Sequence, residues 1–210
     1  MSAALRVFVE RGYRATRLEE VAEAAGVTKG ALYHYFDSKQ DLLAQALAQW
    51  VAASEAEFER LVAEELHGSA SVKLRTVART TLRRWLEPER GRIMHFLAGE
   101  VAVEAPAIHR AWYAGVVARG WQVFAGLIRE GQVRGEFRRD ADAEAIARVF
   151  VSGFVHQFLA RHSRRHDGAQ GEPFDMERLL DAGLDFLLHG LRPFVVVAAP
   201  PASDPSTSDP

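Results

Sequence analysis

The chain has 210 residues, of which 48% are hydrophobic, and this content is enough to bury the core of a compact domain. Its formal net charge is −2 and it has no cysteine, so the composition indicates no nucleic-acid binder and excludes disulfides, thiolate metal sites and cysteine nucleophiles. No apolar run approaches the roughly 18 residues of a membrane span, and the N-terminus lacks the apolar core of a signal peptide. We therefore expect a cytoplasmic protein without a membrane partner.

Helical periodicity runs through most of the chain. Apolar residues recur at spacings of three and four from Leu5 onward, whereas the alternation typical of strands is nearly absent before residue 190. This pattern predicts an all-α fold. Short helices are expected in residues 1–36, followed by a long helix from Ser38 to Leu66 and further helices at 72–86, 93–104, 106–130, 143–161 and 175–189. The Pro- and Ser-rich residues 193–210 are expected to form a flexible tail.

Helix boundaries are clearly marked near the N-terminus. Thr16 with Glu19 forms a capping-box pattern, which predicts the start of a second helix. Thr28 is a candidate cap for a third helix, and Ser38 is one for the long helix. Gly26, between the second and third helices, offers the left-handed conformation that favours a tight helix end. The sequence thus predicts three short helices joined by tight turns.

The third helix is short and carries polar side chains on its outer side. Leu32 and Phe36 form its inner side, and its predicted outer quadrant consists of Lys29, Gly30, Tyr33 and His34. Two helices that cross through a tight turn, the second polar outside, have helix-turn-helix geometry. In the major groove, lysine can donate to guanine or phosphate, and tyrosine or histidine to phosphate. Residues 1–48 hold six basic and six acidic side chains, so this part of the chain is not basic overall. The pattern alone is therefore compatible with DNA binding and equally with a three-helix unit that only packs against the rest of the protein.

The run VFVERGYRATRLEEVAEAAGVTKGALYHYFDSKQDLL resembles the DNA-binding domain of the TetR family of transcriptional regulators. The resemblance rests on the aromatic-x-x-x-Gly-Tyr lead, a Thr before the second helix, Ala-Gly-Val at the turn, Gly-x-Leu-Tyr-x-Tyr-Phe in the third helix, and the following Ser-Lys and Leu-Leu. It implies a homodimer that binds a palindromic operator, usually as a repressor released by a small-molecule inducer. We expect a helix-turn-helix domain in residues 1–48 and a larger helical ligand-binding and dimerisation domain in residues 49–192.

The family's DNA-contacting positions can be carried over to this sequence one by one. They fall on Thr16, Arg17, Thr28, Lys29, Gly30, Ala31, Tyr33, His34, Tyr35 and Lys39. Arg17 replaces a common Ser or Thr, which would strengthen a phosphate contact, and Ala31 replaces a common Thr, which removes a hydroxyl. The family's N-terminal arm has no counterpart before Ser2, and this leaves open either an upstream start or a modest affinity for DNA.

Residues 49–192 resemble the family only in helical layout and in the phrase GEFRRDAD, so no motif identifies the ligand. Aromatic and histidine side chains of the middle helices are candidate pocket residues, although each alone is more often part of a core. They are Trp85, His95, Phe96, Trp112, Trp121, Phe124, Phe154 and His156. Apolar walls with a few polar groups suit a small-molecule cavity, so we expect an apolar or aromatic inducer. His162 and His166 lie in a basic run, which favours a solvated loop over a zinc site.

The last two helices carry more apolar surface than one core face requires. A four-helix interface, with two helices from each subunit, would bury this surface, and Gly153 and Gly183 would permit close helix approach. The predicted interface residues are Val149, Phe150, Gly153, Gln157, Leu180, Gly183, Leu184 and Leu187. Burial within one chain is the alternative to this interface.

An enzyme and a protein-binding adaptor are the two alternatives to a regulator. The sequence has no nucleophile elbow, P-loop, dinucleotide fingerprint or H-E-x-x-H motif, so we expect neither an enzyme nor a cofactor. A helical adaptor that binds proteins and not DNA is the remaining alternative. An adaptor does not need Lys29, Gly30 and Tyr33 on one outward quadrant, so substitution of Lys29 and Tyr33 distinguishes the two classes.

Overall fold

The computed structural model describes residues 2–166 and 175–193, and every regular element in these ranges is helical. The predicted all-α fold is thereby confirmed. In chain order the helices are α1 Ala3–Arg11, α2 Leu18–Ala25, α3 Lys29–Tyr35, α4 Lys39–Glu65, α5 Ala70–Leu86, α6 Pro88–Ala98, α7 Glu100–Glu104, α8 Pro106–Trp112, a π-helical segment Tyr113–Val117, α9 Ala118–Val133, α10 Ala143–His166 and α11 Met176–Gly190. The predicted tail lies outside the described residues from residue 194 onward.

Helix α1 packs on α2 and on α4, and α3 packs on α2. Their shared core consists of Leu5, Phe8, Val21, Leu32, Leu42 and Leu43, all of which are buried. Gly26 ends α2 with a φ of 68°, and its N–H donates to the carbonyl of Ala22. Thr28 then caps α3, because its hydroxyl oxygen accepts from the N–H of Ala31 at 3.1 Å. These contacts confirm the predicted turn between the two helices.

The start of α2 differs from the prediction by one residue. Its N-cap is Arg17, whose backbone N–H donates to Oε2 of Glu20 at 3.1 Å. Thr16 is only 3% exposed, and its hydroxyl donates to the carbonyl of Gly12 at 2.7 Å. The predicted capping box of Thr16 and Glu19 is therefore wrong, because the helix begins one residue later and Glu20, not Glu19, accepts from the N-cap N–H.

Helix α4 joins the N-terminal helices to the rest of the chain. It runs from Lys39 to Glu65, close to the predicted 38–66, and Ser38 caps it by accepting from the N–H of Asp41 at 3.0 Å. Its 27 residues give it a length of about 40 Å. Leu43 and Leu47 on its first turns are buried, and Trp50 and Phe58 further along are partly buried against the core. A single rigid element thus contacts both parts of the protein.

The helices of the second part differ from the predicted ones in four main respects. Helix α6 begins at Pro88 and not near Ile93, because proline at the first helical position needs no hydrogen-bonded N–H. Gly99 separates α6 from α7, where one helix was expected, and a π-helical segment interrupts the helix expected from Pro106. Helix α10 extends to His166, beyond its predicted end. No helix in the described ranges is long and apolar enough to cross a membrane.

The turn after α9 is packed tightly against the start of α5. The carbonyl of Gly131 accepts from the N–H groups of Glu136 and Phe137, and the Phe137 ring lies directly against Gly131. The carboxylate of Glu136 accepts from the N–H groups of Ala70 and Ser71 at 3.1 and 3.4 Å. This turn therefore supplies hydrogen-bond acceptors to amides at the N-terminus of α5 that have no partner within the helix.

Candidate DNA-binding surface and ligand cavity

Helix α3 presents the predicted polar quadrant to solvent. Lys29, Gly30, Tyr33 and His34 are all exposed, whereas Leu32 is 5% exposed and anchors the helix to the core. An ideal Cβ at Gly30 would meet no atom of the protein closer than 4.0 Å, so the space outside this residue is open to another molecule. Tyr35 also faces solvent, at 75% exposed. The end of the molecule formed by α3 thus carries an ammonium, a phenol and an imidazole on one short surface.

Lys29 is held by an ion pair across the helix-turn-helix. Its Nζ pairs with Oε1 of Glu19 on α2, and it also lies over the ring of Tyr33, 5.6 Å from the centroid. The hydrogen bond to Glu19 raises the pKa of Lys29 and lowers the pKa of Glu19. A phosphate or guanine that binds Lys29 must therefore compete with the carboxylate of Glu19 for its ammonium.

Lys39 holds the loop between α1 and α2. Its Nζ donates to the carbonyl oxygens of Tyr13, Arg14 and Thr16 at 2.8, 3.2 and 3.3 Å, and it lies 4.7 Å from the centroid of the Tyr13 ring. The three ammonium donors are matched to three carbonyls. Lys39 and the buried Thr16, which were expected to contact DNA, therefore have structural partners within the loop that leads into α2.

We expect Lys39→Met to lower the free energy of unfolding by about 1–2 kcal/mol, because three backbone carbonyls lose a charged donor. The value is reduced by solvent screening, since the loop is partly exposed. Urea unfolding followed by far-ultraviolet circular dichroism measures the change. Lys29→Met is the matched control, because it removes only an exposed ion pair, and it should leave the midpoint nearly unchanged. Equal stability of the two variants would contradict the anchoring role of Lys39.

A cavity of about 170 Å³ lies between α4, α5, α6, α9, α10 and α11. Its walls are mostly apolar and include Trp50, Phe58, Val77, Leu82, Trp85, Met94, Val117, Phe124, Phe150, Phe154 and Leu180. Its polar wall groups include Ser54, Glu55, Thr81, Arg84, Arg90 and Arg119. An apolar cavity with a few convergent polar groups is typical of a small-molecule site.

Three of the eight predicted pocket residues line this cavity, namely Trp85, Phe124 and Phe154. The other five, His95, Phe96, Trp112, Trp121 and His156, are absent from its walls. Phe96 and Trp112 are buried in the core at 6% exposed each, and His156 faces solvent. Trp121 packs on Tyr113 and on the guanidinium of Arg148. The sequence places these aromatic and histidine residues on the middle helices, but it does not show whether each one faces the cavity, the core or solvent.

The predicted dimer residues separate into exposed and buried groups. Val149 is 76% exposed, and Gly153 and Gln157 on the same helix also face solvent. Leu180, Leu184 and Leu187 are buried at 3%, 0% and 8% exposed, so they belong to the core of one chain. Phe150 and Gly183 are half-buried, and an ideal Cβ at Gly183 would lie 3.4 Å from the Phe154 ring of α10. The prediction did not include Phe186, which is 85% exposed on α11.

Direct contacts link the helices around the cavity to the helix-turn-helix. Helix α6, which carries Arg90 and Met94, is followed immediately by α7. Glu100 of α7 accepts from the backbone N–H of Arg14 at 3.1 Å, and Glu104 pairs with the Arg14 guanidinium at 3.1 Å. Helix α4 makes the second link. A displacement of either helix by a ligand would therefore reach the loop that precedes α2.

The described residues contain no group of three or more side chains suited to hold a metal ion. The side chains of His162 and His166, for which zinc binding was considered, lie outside what the structure describes, although α10 includes both positions.

Comparison with known proteins gives matches along most of the chain. Residues 1–46 match the family model described as "Bacterial regulatory proteins, tetR family", and residues 64–172 match "Tetracyclin repressor-like, C-terminal domain". The chain is also 28% identical over 199 residues to the HTH-type transcriptional repressor BepR of Brucella suis biovar 1, covering 90% of this chain and 84% of that repressor.

Solved structures show the same fold. The transcriptional regulator FadR from Bacillus subtilis, in complex with stearoyl-CoA, superposes with a TM-score of 0.69 at 20% identity over 90% of this chain and 96% of that one. A transcriptional regulator from Saccharomonospora viridis in complex with choline gives 0.66 at 24% identity over 91% and 95%. Together with the second family model, which alone spans half of the sequence, these findings show that the chain belongs to the tetR family of transcriptional regulators and is not an enzyme.

Proposed function

We propose that this regulator is a repressor that binds a palindromic operator as a homodimer and is released when a small molecule enters its cavity. The observation that carries the proposal is the exposed quadrant of α3 with Lys29, Gly30 and Tyr33 at the end of a helix-turn-helix. Because a bacterial operator lies on the chromosome, this function takes place in the cytoplasm. We place the helix-turn-helix domain in residues 1–48 and the ligand-binding and dimerisation domain in residues 49–192.

Helix α3 is the proposed recognition helix in the major groove. Lys29 would donate to guanine or phosphate, and Tyr33, His34 and Tyr35 would donate to phosphates. Gly30 and Ala31 would allow the helix backbone to approach the DNA closely. Arg17 and Thr28, near the ends of the helices, complete the proposed direct contacts. The structure supports a loop-positioning role for Lys39 and Thr16, so their part in binding is indirect.

The proposed homodimer uses the outer faces of α10 and α11. Val149, Gly153, Gln157 and Phe186 are exposed on these two helices, and exposed valine and phenylalanine side chains are favourable apolar contacts for a second subunit. Two such helices from each chain would form the expected four-helix interface. Leu180, Leu184 and Leu187 would support this interface from beneath, since they pack α11 onto its own chain.

Phe186→Asp should convert the dimer to a monomer at low micromolar concentration, because it places a charge in an apolar interface. Sedimentation velocity measures the mass directly. Val133→Asp is the matched control, since Val133 is 81% exposed on α9, a helix that is not part of the proposed interface, and this variant should stay dimeric. A wild-type monomer, or a Phe186→Asp variant as dimeric as the control, would contradict the proposed interface.

Release by the ligand follows from the two links between cavity and DNA-binding domain. A ligand in contact with Trp50 of α4 and Met94 of α6 would shift both helices and, through them, the loop before α2. The two recognition helices of a dimer must lie about 34–36 Å apart to reach successive major grooves. A shift of this spacing lowers the affinity for the operator, because the liganded state then no longer fits both half-sites.

The apolar walls of the cavity support an inducer with an apolar or aromatic body. Stearoyl-CoA and choline, found in the two related structures, differ in size and charge, so they do not define a common ligand. Hydroxyl-radical footprinting on DNA selected from a random library tests the proposed function. Two protected half-sites with palindromic sequence are expected, whereas uniform or absent protection would contradict it.

A further inference from the structure

Arginine residues of three helices form part of the wall of the apolar cavity. Arg84 of α5, Arg90 of α6 and Arg119 of α9 all line it, whereas Glu55 is the acidic residue among the described lining residues. The side chains of Arg84 and Arg90 are 13% and 21% exposed, and that of Arg119 is 47% exposed. Arg84 and Arg90 therefore lie at the inner wall, while Arg119 lies nearer to solvent and pairs with Glu55 and Glu59 of α4.

Arg84 and Arg90 share one carboxylate oxygen. Oε2 of Glu57 accepts from Arg84 at 2.7 Å and from Arg90 at 2.5 Å, and Arg90 also donates to Ser54 Oγ at 3.2 Å and to Glu87 Oε2 at 3.0 Å. Glu57 is 42% exposed and does not line the cavity. Two arginines of the cavity wall thus share a carboxylate acceptor that is not itself part of the wall.

The environment of Arg84 favours an additional anion. Burial lowers the pKa of Arg84 and the neighbouring charge of Arg90 lowers it further, while Glu57 acts in the opposite direction. A carboxylate placed on the cavity side would offset both unfavourable effects. Planar guanidinium groups bind carboxylates through paired, charge-assisted hydrogen bonds, and these are stronger in a dry apolar site than in water.

We propose that the cavity binds an anionic amphiphile, a small molecule with an apolar body and one carboxylate, whose carboxylate is held by Arg84 and Arg90. This inference rests on the proposed function, because it specifies the chemical class of the inducer. The cavity volume of about 170 Å³ sets the size of the apolar body. A cavity of about 150 Å³ holds benzene with its six carbon atoms, so an apolar body of about seven carbon atoms fits in this one.

Three eight-carbon probes that differ only in head group test the charge: octanoate, 1-octanol and octylammonium. Trp50 and Trp85 line the cavity, so their fluorescence reports binding to the full-length protein. Octanoate is expected to bind at least about tenfold more tightly than 1-octanol, since a hydrogen-bonded ion pair is added to the same apolar burial. Octylammonium is expected to bind least tightly, because its charge opposes the arginines.

Variants of the arginine pair show whether it holds the head group. Arg84→Gln and Arg90→Gln should each remove most of the preference for octanoate and leave the affinity for 1-octanol unchanged. Arg83→Gln, at an exposed position of α5 outside the cavity wall, is the matched control and should behave as wild type. Glu57→Gln should strengthen octanoate binding severalfold, because it removes the carboxylate that occupies both guanidinium groups. A merely structural role of the arginines predicts no such gain.

The inference is overturned if octanoate binds no better than 1-octanol, if none of the three probes binds, or if Glu57→Gln weakens octanoate binding. Operator binding is measured in the same preparations without probe. Specific operator binding with no preference for octanoate would contradict the anionic ligand and leave the proposed function intact. A clear preference for octanoate without any specific DNA binding would contradict the proposed function and retain the anion site.

Discussion

Replacement of both Lys29 and Tyr33 by alanine is expected to lower the affinity for the operator by about a hundredfold or more, since each lost contact typically costs about 1–3 kcal/mol. Both side chains lie on the outer quadrant of α3, with Lys29 55% and Tyr33 51% exposed, so their loss should not disturb the core. Fluorescence anisotropy with a labelled operator fragment measures the affinity, and thermal unfolding checks that the fold is retained. A doubly substituted protein that binds like wild type would exclude α3 as the recognition helix.

Glu19→Gln tests whether the ion pair of Lys29 competes with DNA. The Glu19 carboxylate pairs with Lys29 and also places a negative charge next to the surface proposed to face phosphates. Removal of this charge should raise the affinity for the operator, because Lys29 then binds DNA without first breaking its ion pair with Glu19. Weaker binding of Glu19→Gln would show that the ion pair orients Lys29 for contact and does not compete with DNA.

Gly131→Ala is expected to lower the free energy of unfolding by about 3 kcal/mol, at the upper end of overpacking effects in buried sites. An ideal Cβ at this position would lie 2.1 Å from Cδ2 of Phe137, whose side chain is only 2% exposed. The ring cannot move outward without disturbing the turn that caps α5 through Glu136. Urea unfolding monitored by tryptophan fluorescence measures the change.

Gly126→Ala provides the matched control for this substitution. Gly126 lies in the same helix, is exposed, and would place a Cβ with no atom within 4 Å. This variant should be more stable than wild type by about 0.5–1 kcal/mol, because alanine is the better helix former. Similar stabilities of the Gly131→Ala and Gly126→Ala variants would contradict the packing described for Phe137.

The N-terminal helices could be predicted well because their signals are local. Gly26, Thr28 and Ser38 each act on a backbone group within a few residues, and the structure confirms all three. The partner predicted for Thr16 is wrong because its hydroxyl had two candidate partners within reach, an N–H of the helix that follows and the carbonyl of Gly12, and it donates to the carbonyl. The pairing of Lys39 with three carbonyls of the preceding loop has no sequence signal, because it depends on how α4 packs on α1.

The cavity could be predicted only in part because its walls come from six helices. Trp85 and Trp112 are both tryptophans in amphipathic helices, yet the first lines the cavity and the second is buried in the core. Trp50 and Phe58 of α4 also line the cavity, although they were not among the candidate pocket residues predicted from the sequence. Nothing in the sequence indicated that Arg84 and Arg90 would turn inward, since arginine is ordinarily exposed.

Binding of a specific DNA site by the helix-turn-helix is tested most directly with the purified protein and the DNA fragments that flank its own gene, across a series of salt concentrations. We expect tight binding to one fragment, and this binding should fall steeply as salt rises because phosphate contacts release counterions. Binding to every fragment no tighter than to random DNA would contradict specific DNA recognition and favour a helical adaptor.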